Sequence, residues 1–97
     1  LSWWKRIFGP SRPTLSPGCK RRAVYCAGTA EDHGYPCRIR IVPGREKAHA
    51  EALAKWQGVW WVLGQDSRGK VIFVEEADGD PMNSYPLATF QALVFVP

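Results

Sequence analysis

The sequence predicts an α+β domain in which one main helix packs on a small antiparallel sheet of about four to five strands. Three observations carry that expectation. Ser16-Pro17-Gly18-Cys19 opens a segment in which Cys19, Ala23, Cys26, Ala27 and Ala30 recur at helical spacing. Cys37, Ile39 and Ile41 then alternate with Arg38 and Arg40, the period of a strand with one wet face. Two β-rich runs, Val59 to Leu63 and Lys70 to Glu75, flank the turn residues Asp66-Ser67-Arg68-Gly69, which makes them a hairpin.

Each element follows from its residues. Leu1 to Phe8 reads as a short amphipathic segment, and Gly9 to Pro17, with Pro10, Pro13 and Pro17, as an extended linker. Residues 1–17 are therefore set apart from a single domain over 18–97. The helix starts with Ser16 as N-cap and Pro17 at the first helical position, where a missing N–H costs nothing. Its small-residue face suits close packing on a sheet, and Gly34 and Pro36 end it. After the strand at Cys37 to Ile41, Pro43-Gly44 turns the chain. Glu46 to Trp56 is rich in alanine, glutamate and lysine and favours helix by propensity alone. As a strand it sets His49, Glu51 and Leu53 on one face and Ala48, Ala50, Ala52 and Ala54 on the other. Gln57-Gly58 marks a tight connection, Asp78-Gly79-Asp80-Pro81 begins a loop, and Ala92 to Val96 is apolar enough for a last strand.

Composition narrows the class. The 97 residues are 45% hydrophobic and 23% charged, which fits one folded unit and argues against wholesale disorder. No apolar run approaches the roughly 20 residues of a membrane span. The net charge of +4 is concentrated in the first half, from Arg12 to Arg45, with an acidic patch at Glu75, Glu76, Asp78 and Asp80. That asymmetry can steer an acidic partner, but no nucleic-acid motif accompanies it, so no specific nucleic acid is expected. Three cysteines with no secretory leader before them predict a reducing, cytoplasmic setting rather than a disulfide framework. Cys26, His33 and Cys37 lack paired metal-ligand spacing, and nothing points to a cofactor.

Cys19 at a helix start, Gly34-Tyr35-Pro36 before an Arg-Ile-Arg-Ile strand, His49-Ala50 opening the next segment, and Gly58-Val59-Trp60-Trp61-Val62-Leu63 together resemble the transglutaminase-like cysteine proteinases. The resemblance runs from about Gly18 to Phe73. It implies a reduced papain-type core, a strand rather than a helix for Lys47 to Lys55, and a peptide or protein substrate. By motif position Cys19 is the implied nucleophile and His49 its base. In the family an aspartate commonly follows the Trp-Val-Leu stretch at once. Here Gly64 and Gln65 intervene, so Asp66 shifted by a bulge, Gln65 through its amide oxygen, or no residue at all orients the histidine.

Lys20-Arg21-Arg22, where the family often has acidic residues, surrounds Cys19 with positive potential, the setting in which cysteine nucleophiles work. The resemblance thus implies a thiol hydrolase or acyltransferase: Cys19 attacks an amide carbonyl and His49 takes and returns the proton. The alternative is a catalytically inactive member of the same fold that holds a protein or a membrane surface. Its candidate contacts are Trp3, Trp4 and Phe8, the basic strand face, or the tryptophan-rich hairpin. Oligomeric state is not legible.

Overall fold

A computed structural model describes residues 15–45 and 47–95 of the chain. The expectations for the amphipathic segment, including Trp3, Trp4 and Phe8, and for most of the linker lie outside the described residues. The elements run α1 (Pro17–Asp32), β1 (Cys37–Val42), β2 (His49–Trp56), β3 (Val59–Gln65), β4 (Val71–Glu76) and α2 (Leu87–Val94). The four strands form one antiparallel sheet in sequence order, with the long helix across one face, an α+β arrangement.

Local chemistry sets the boundaries of α1. Ser16 Oγ accepts the Cys19 N–H at 3.1 Å, satisfying one of the amides that a helix start leaves unpaired, and Pro17 follows as predicted. At the other end the Tyr35 N–H donates to Ala30 O (3.0 Å) and the Gly34 N–H to Glu31 O (2.9 Å). That pair of bonds is a Schellman stop, and Gly34 sits at φ 85°, where a side chain would be strained. The β2–β3 hairpin closes through Gln57 (φ 51°) and Gly58 (φ 79°), a two-residue turn with both residues in the left-handed region, whose twist matches the right-handed twist of the strands.

The segment around His49 is a strand, not the helix that its alanines favour. Six consecutive pairings, from Cys37↔Ala54 to Val42↔His49, hold it to β1, and tertiary pairing overrides weak propensity. The last strand expected over Ala92 to Val96 is instead a helix up to Val94, with Phe95 as its cap and Val96 outside the described residues. The reason is local: Leu87, Ala88, Leu93 and Ala92 are good helix formers, and Pro86 fits a helix start. A helix here also lets Phe90 point into the core, where it is fully buried beside the small face of α1 and Ile39.

That core consists of small residues on both sides. Ala23, Cys26, Ala27 and Ala30 of α1 meet Ala48, Ala52 and Ala54 of the β2 segment together with Ile39, Ile41 and Leu63. Alanine on alanine lets helix and sheet approach closely, and Phe90 supplies the bulk that alanines lack. At the far end of the same face lie Tyr35, Trp56, Trp61 and Phe73, with Trp56 stacked on Phe73 at 5.5 Å between centroids. On the opposite face Arg38 donates to Ser84 Oγ (2.6 Å) and Ser84 O (2.8 Å). Tyr85 and Ile39 exchange two backbone hydrogen bonds of 2.8 Å along the outer edge of β1. The β3–β4 ladder carries a register shift between Val62 and Leu63. Among the described residues no helix is long and apolar enough to cross a membrane.

Candidate functional site

Cys19 lies in the first turn of α1, half-buried, over β2. Its sulfur accepts the Ala50 N–H at 3.0 Å and stands 3.6 Å from Ala50 O. The sheet register explains why an amide in a strand turns to a thiol. β2 and β3 pair from Trp56↔Val59 to Leu53↔Val62, and the same register continued would set Ala50 opposite Gln65. The pairing stops at Leu53↔Val62 although both strands continue, so Cys19 takes up the Ala50 amide in place of a strand neighbour.

His49 is adjacent in sequence but opposite in direction. Successive strand residues point to opposite faces, and Ala48, Ala50, Ala52 and Ala54 pack toward α1. His49 therefore belongs to the other face with Glu51, which pairs with Arg40 at 2.7 Å. Its side chain is exposed beside the β1–β2 turn, where a Cβ placed on Gly44 would lie 3.3 Å from Cδ2 and Nε2. Among the described residues no hydrogen bond joins Cys19 to His49. The fold brings the backbone of the histidine's strand to the cysteine, and the imidazole to the opposite surface.

Both candidates for the third position serve the β3–β4 turn. Asp66 Oδ1 accepts the N–H groups of Arg68 and Lys70, each at 2.9 Å, and its carbonyl accepts the Gly69 N–H. Gln65 Nε2 donates to Gly69 O at 2.8 Å. Aspartate followed by such a turn is a local motif that closes on itself, so the sequence displacement of Asp66 has a structural counterpart. Gln65 and Asp66 do border one cleft with Arg22, Cys26, Ala50 and Gly64, about 670 Å³ in volume, between the diverging strands and α1.

The other thiols are packing residues. Burial pushes the Cys26 thiol up from its ordinary value against the lowering pull of Arg22, and burial followed by Glu31 raises Cys37. All three cysteines are free. The basic strand face is spent internally: Arg38 is bound to Ser84, and Arg40 bridges Glu51 and Asp78 (2.9 Å). Sequence reasoning did not find Ala50 as the partner of the cysteine. Only the strand register, counted from the Gln57-Gly58 turn, could have shown that its amide lacks a neighbour. Comparisons with protein-family models, curated proteins and solved structures return no match to this chain.

Proposed function

We propose that the chain is a protein-binding module that shares the helix-on-sheet frame of a thiol peptidase and lacks its nucleophile–base pair. One observation carries the reading. The sulfur of Cys19 is bonded to the Ala50 backbone as a structural acceptor, while His49 projects from the opposite face of β2. A thiol nucleophile needs its base within hydrogen-bond reach, and Gln65 and Asp66 are engaged in a turn rather than in orienting an imidazole. Of the described contact surfaces, the tryptophan hairpin suits a partner best: Trp56 is exposed and held rigid by its stack on Phe73. Three free thiols fit a reducing, cytoplasmic setting.

The test is the rate of iodoacetamide labelling at Cys19 in the wild type and in His49→Ala. A structural cysteine labels at the same rate in both. A drop of about tenfold or more in the variant would sink the proposal, because it would mean that the imidazole activates the thiol. A thiol hydrolase or acyltransferase is the second reading, favoured by the position of Cys19 in the first helical turn, one strand residue from His49. It requires the imidazole to cross to the helix side of β2, as a one-residue change of strand register accomplishes.

A further inference from the structure

β4 is the last strand of the sheet and has a neighbouring strand on one side only. The Asp66 N–H donates to Lys70 O at 2.9 Å, which turns the Lys70 backbone toward β3, and strand alternation turns that of Ile72 the same way. The N–H and C=O groups of Val71 and Phe73 therefore point outward, and among the described residues no hydrogen bond takes them up. Along this edge runs a cavity of about 330 Å³, walled on its other side by Tyr25, Thr29 and His33 of α1. It touches Lys70 to Phe73 consecutively although their side chains alternate between the two faces of the sheet, so it reaches the edge of the strand and not one face alone. The helix wall turns its polar atoms back on itself: Thr29 Oγ1 donates to Tyr25 O at 2.8 Å, and His33 Nδ1 lies 2.8 Å from Thr29 O, a carbonyl that only accepts. What remains toward the cavity is largely carbon.

Three features of this one border specify what fits it. The outward backbone groups match an extended chain, which can return both a donor and an acceptor to each. The cavity beside them matches an apolar side chain. Glu75 and Glu76, exposed further along the strand and without an ion pair among the described residues, match a cation. Glu75 stands opposite Val62 and Glu76 opposite Trp61, so one carboxylate lies on each face of β4 and a cation on either face of an added strand meets one of them. We propose that the β4 edge binds an extended segment of a partner protein, added antiparallel to β4, with a large apolar residue at its centre and lysine or arginine beyond it. In antiparallel pairing the residue that exchanges hydrogen bonds with Val71 or Phe73 also shares its face, and both of those side chains face the core beneath α1. One residue of the partner is thereby bonded to the edge and seated in the cavity. Phe73, stacked on Trp56 at 5.5 Å, makes the site continuous with the tryptophan hairpin. The inference rests on the binding-module reading and specifies its partner.

Amide NMR spectra of the full chain, titrated with the acetylated peptide amide Lys-Thr-Val-Leu-Val-Thr-Lys, test it. The amides of Val71 and Phe73 should shift together with Tyr25 and gain protection from hydrogen exchange. N-methylation of the central leucine removes the N–H aimed at the edge and should weaken binding about tenfold, as should exchanging both lysines for glutamate. Glu75→Lys with Glu76→Lys, both at exposed positions, should reverse the preference between the lysine and glutamate peptides, a result that unfolding cannot produce. Equal binding of the parent and N-methylated peptides overturns the proposal, as does a preference unmoved by the charge reversal, a shift confined to the His49 face, or no shift at millimolar peptide. A dimer of the chain alone that protects Val71 and Phe73 also overturns it, because the edge then belongs to a second copy. Absence of binding with His49-independent labelling at Cys19 rejects this site alone. Binding together with His49-dependent labelling rejects the module reading and leaves the site.

Discussion

Replacing Cys19 by alanine separates a structural thiol from a catalytic one. The substitution removes the only hydrogen-bond acceptor shown for the Ala50 amide, at 3.0 Å, in a part-buried position. Leaving a buried donor unmet costs about 1–3 kcal/mol, and a weak sulfur acceptor at a half-buried site puts this case near 1 kcal/mol. The lost sulfur also removes packing comparable to a methylene, about 0.8 kcal/mol. The sum is close to 2 kcal/mol, which for a domain of this size lowers Tm by roughly 8–16 °C. Cys19→Ser keeps an acceptor on a shorter bond and should recover about half of the loss, near 1 kcal/mol. Urea unfolding gives the stabilities, and hydrogen exchange at the Ala50 amide gives the bond itself, which should lose protection in the alanine variant. Wild-type stability in Cys19→Ala, with unchanged exchange at Ala50, would refute the assignment of the thiol as a strand acceptor.

Two further outcomes follow from the core. Phe90→Ala should cost about 3–5 kcal/mol and release α2 from the sheet, read as a lower urea midpoint and lost protection in Leu87–Val94. Cys26 and Cys37 have thiols raised above the ordinary value of 9.0 by burial, so they bind their protons more tightly folded than unfolded. Their contribution is complete below the unfolded value and is lost as pH rises through the folded one; stability should fall above about pH 9, and Cys26→Ala with Cys37→Ala should flatten that part of the curve.

The fold was legible wherever a local rule agreed with the tertiary context. Ser16-Pro17, Gly34 and Gln57-Gly58 mark real boundaries because capping and turn geometry depend on a few adjacent residues. β2 was legible only through the resemblance, since its alanines, Glu51 and Lys55 favour a helix in isolation. Leu87–Val94 went wrong in the opposite sense, because a short apolar run carries no periodicity that separates a buried helix from a strand. At the candidate site, sequence order placed Cys19 at the helix start and beside β2. It could not give the direction of His49, since strand alternation reverses every residue and the phase is set by which face meets α1. The turn role of Asp66 was present in Asp66-Ser67-Arg68-Gly69, a motif as consistent with self-closure as with catalysis.

The backbone exchange between Tyr85 and Ile39 has a consequence for life at high concentration. An exposed strand edge is a template on which another chain can add, and this sheet has two edges to guard. Tyr85 caps β1 with two hydrogen bonds, while β4 is broken by a register shift and ends in Glu75 and Glu76, whose charges repel a second copy laid alongside. Resistance to fibril growth is thus divided between a backbone clasp on one side and an irregular, acidic border on the other. Loosening the clasp frees the N–H and C=O of Ile39 on the edge of β1 for pairing with another chain, while the Ile39 and Ile41 side chains stay in the core.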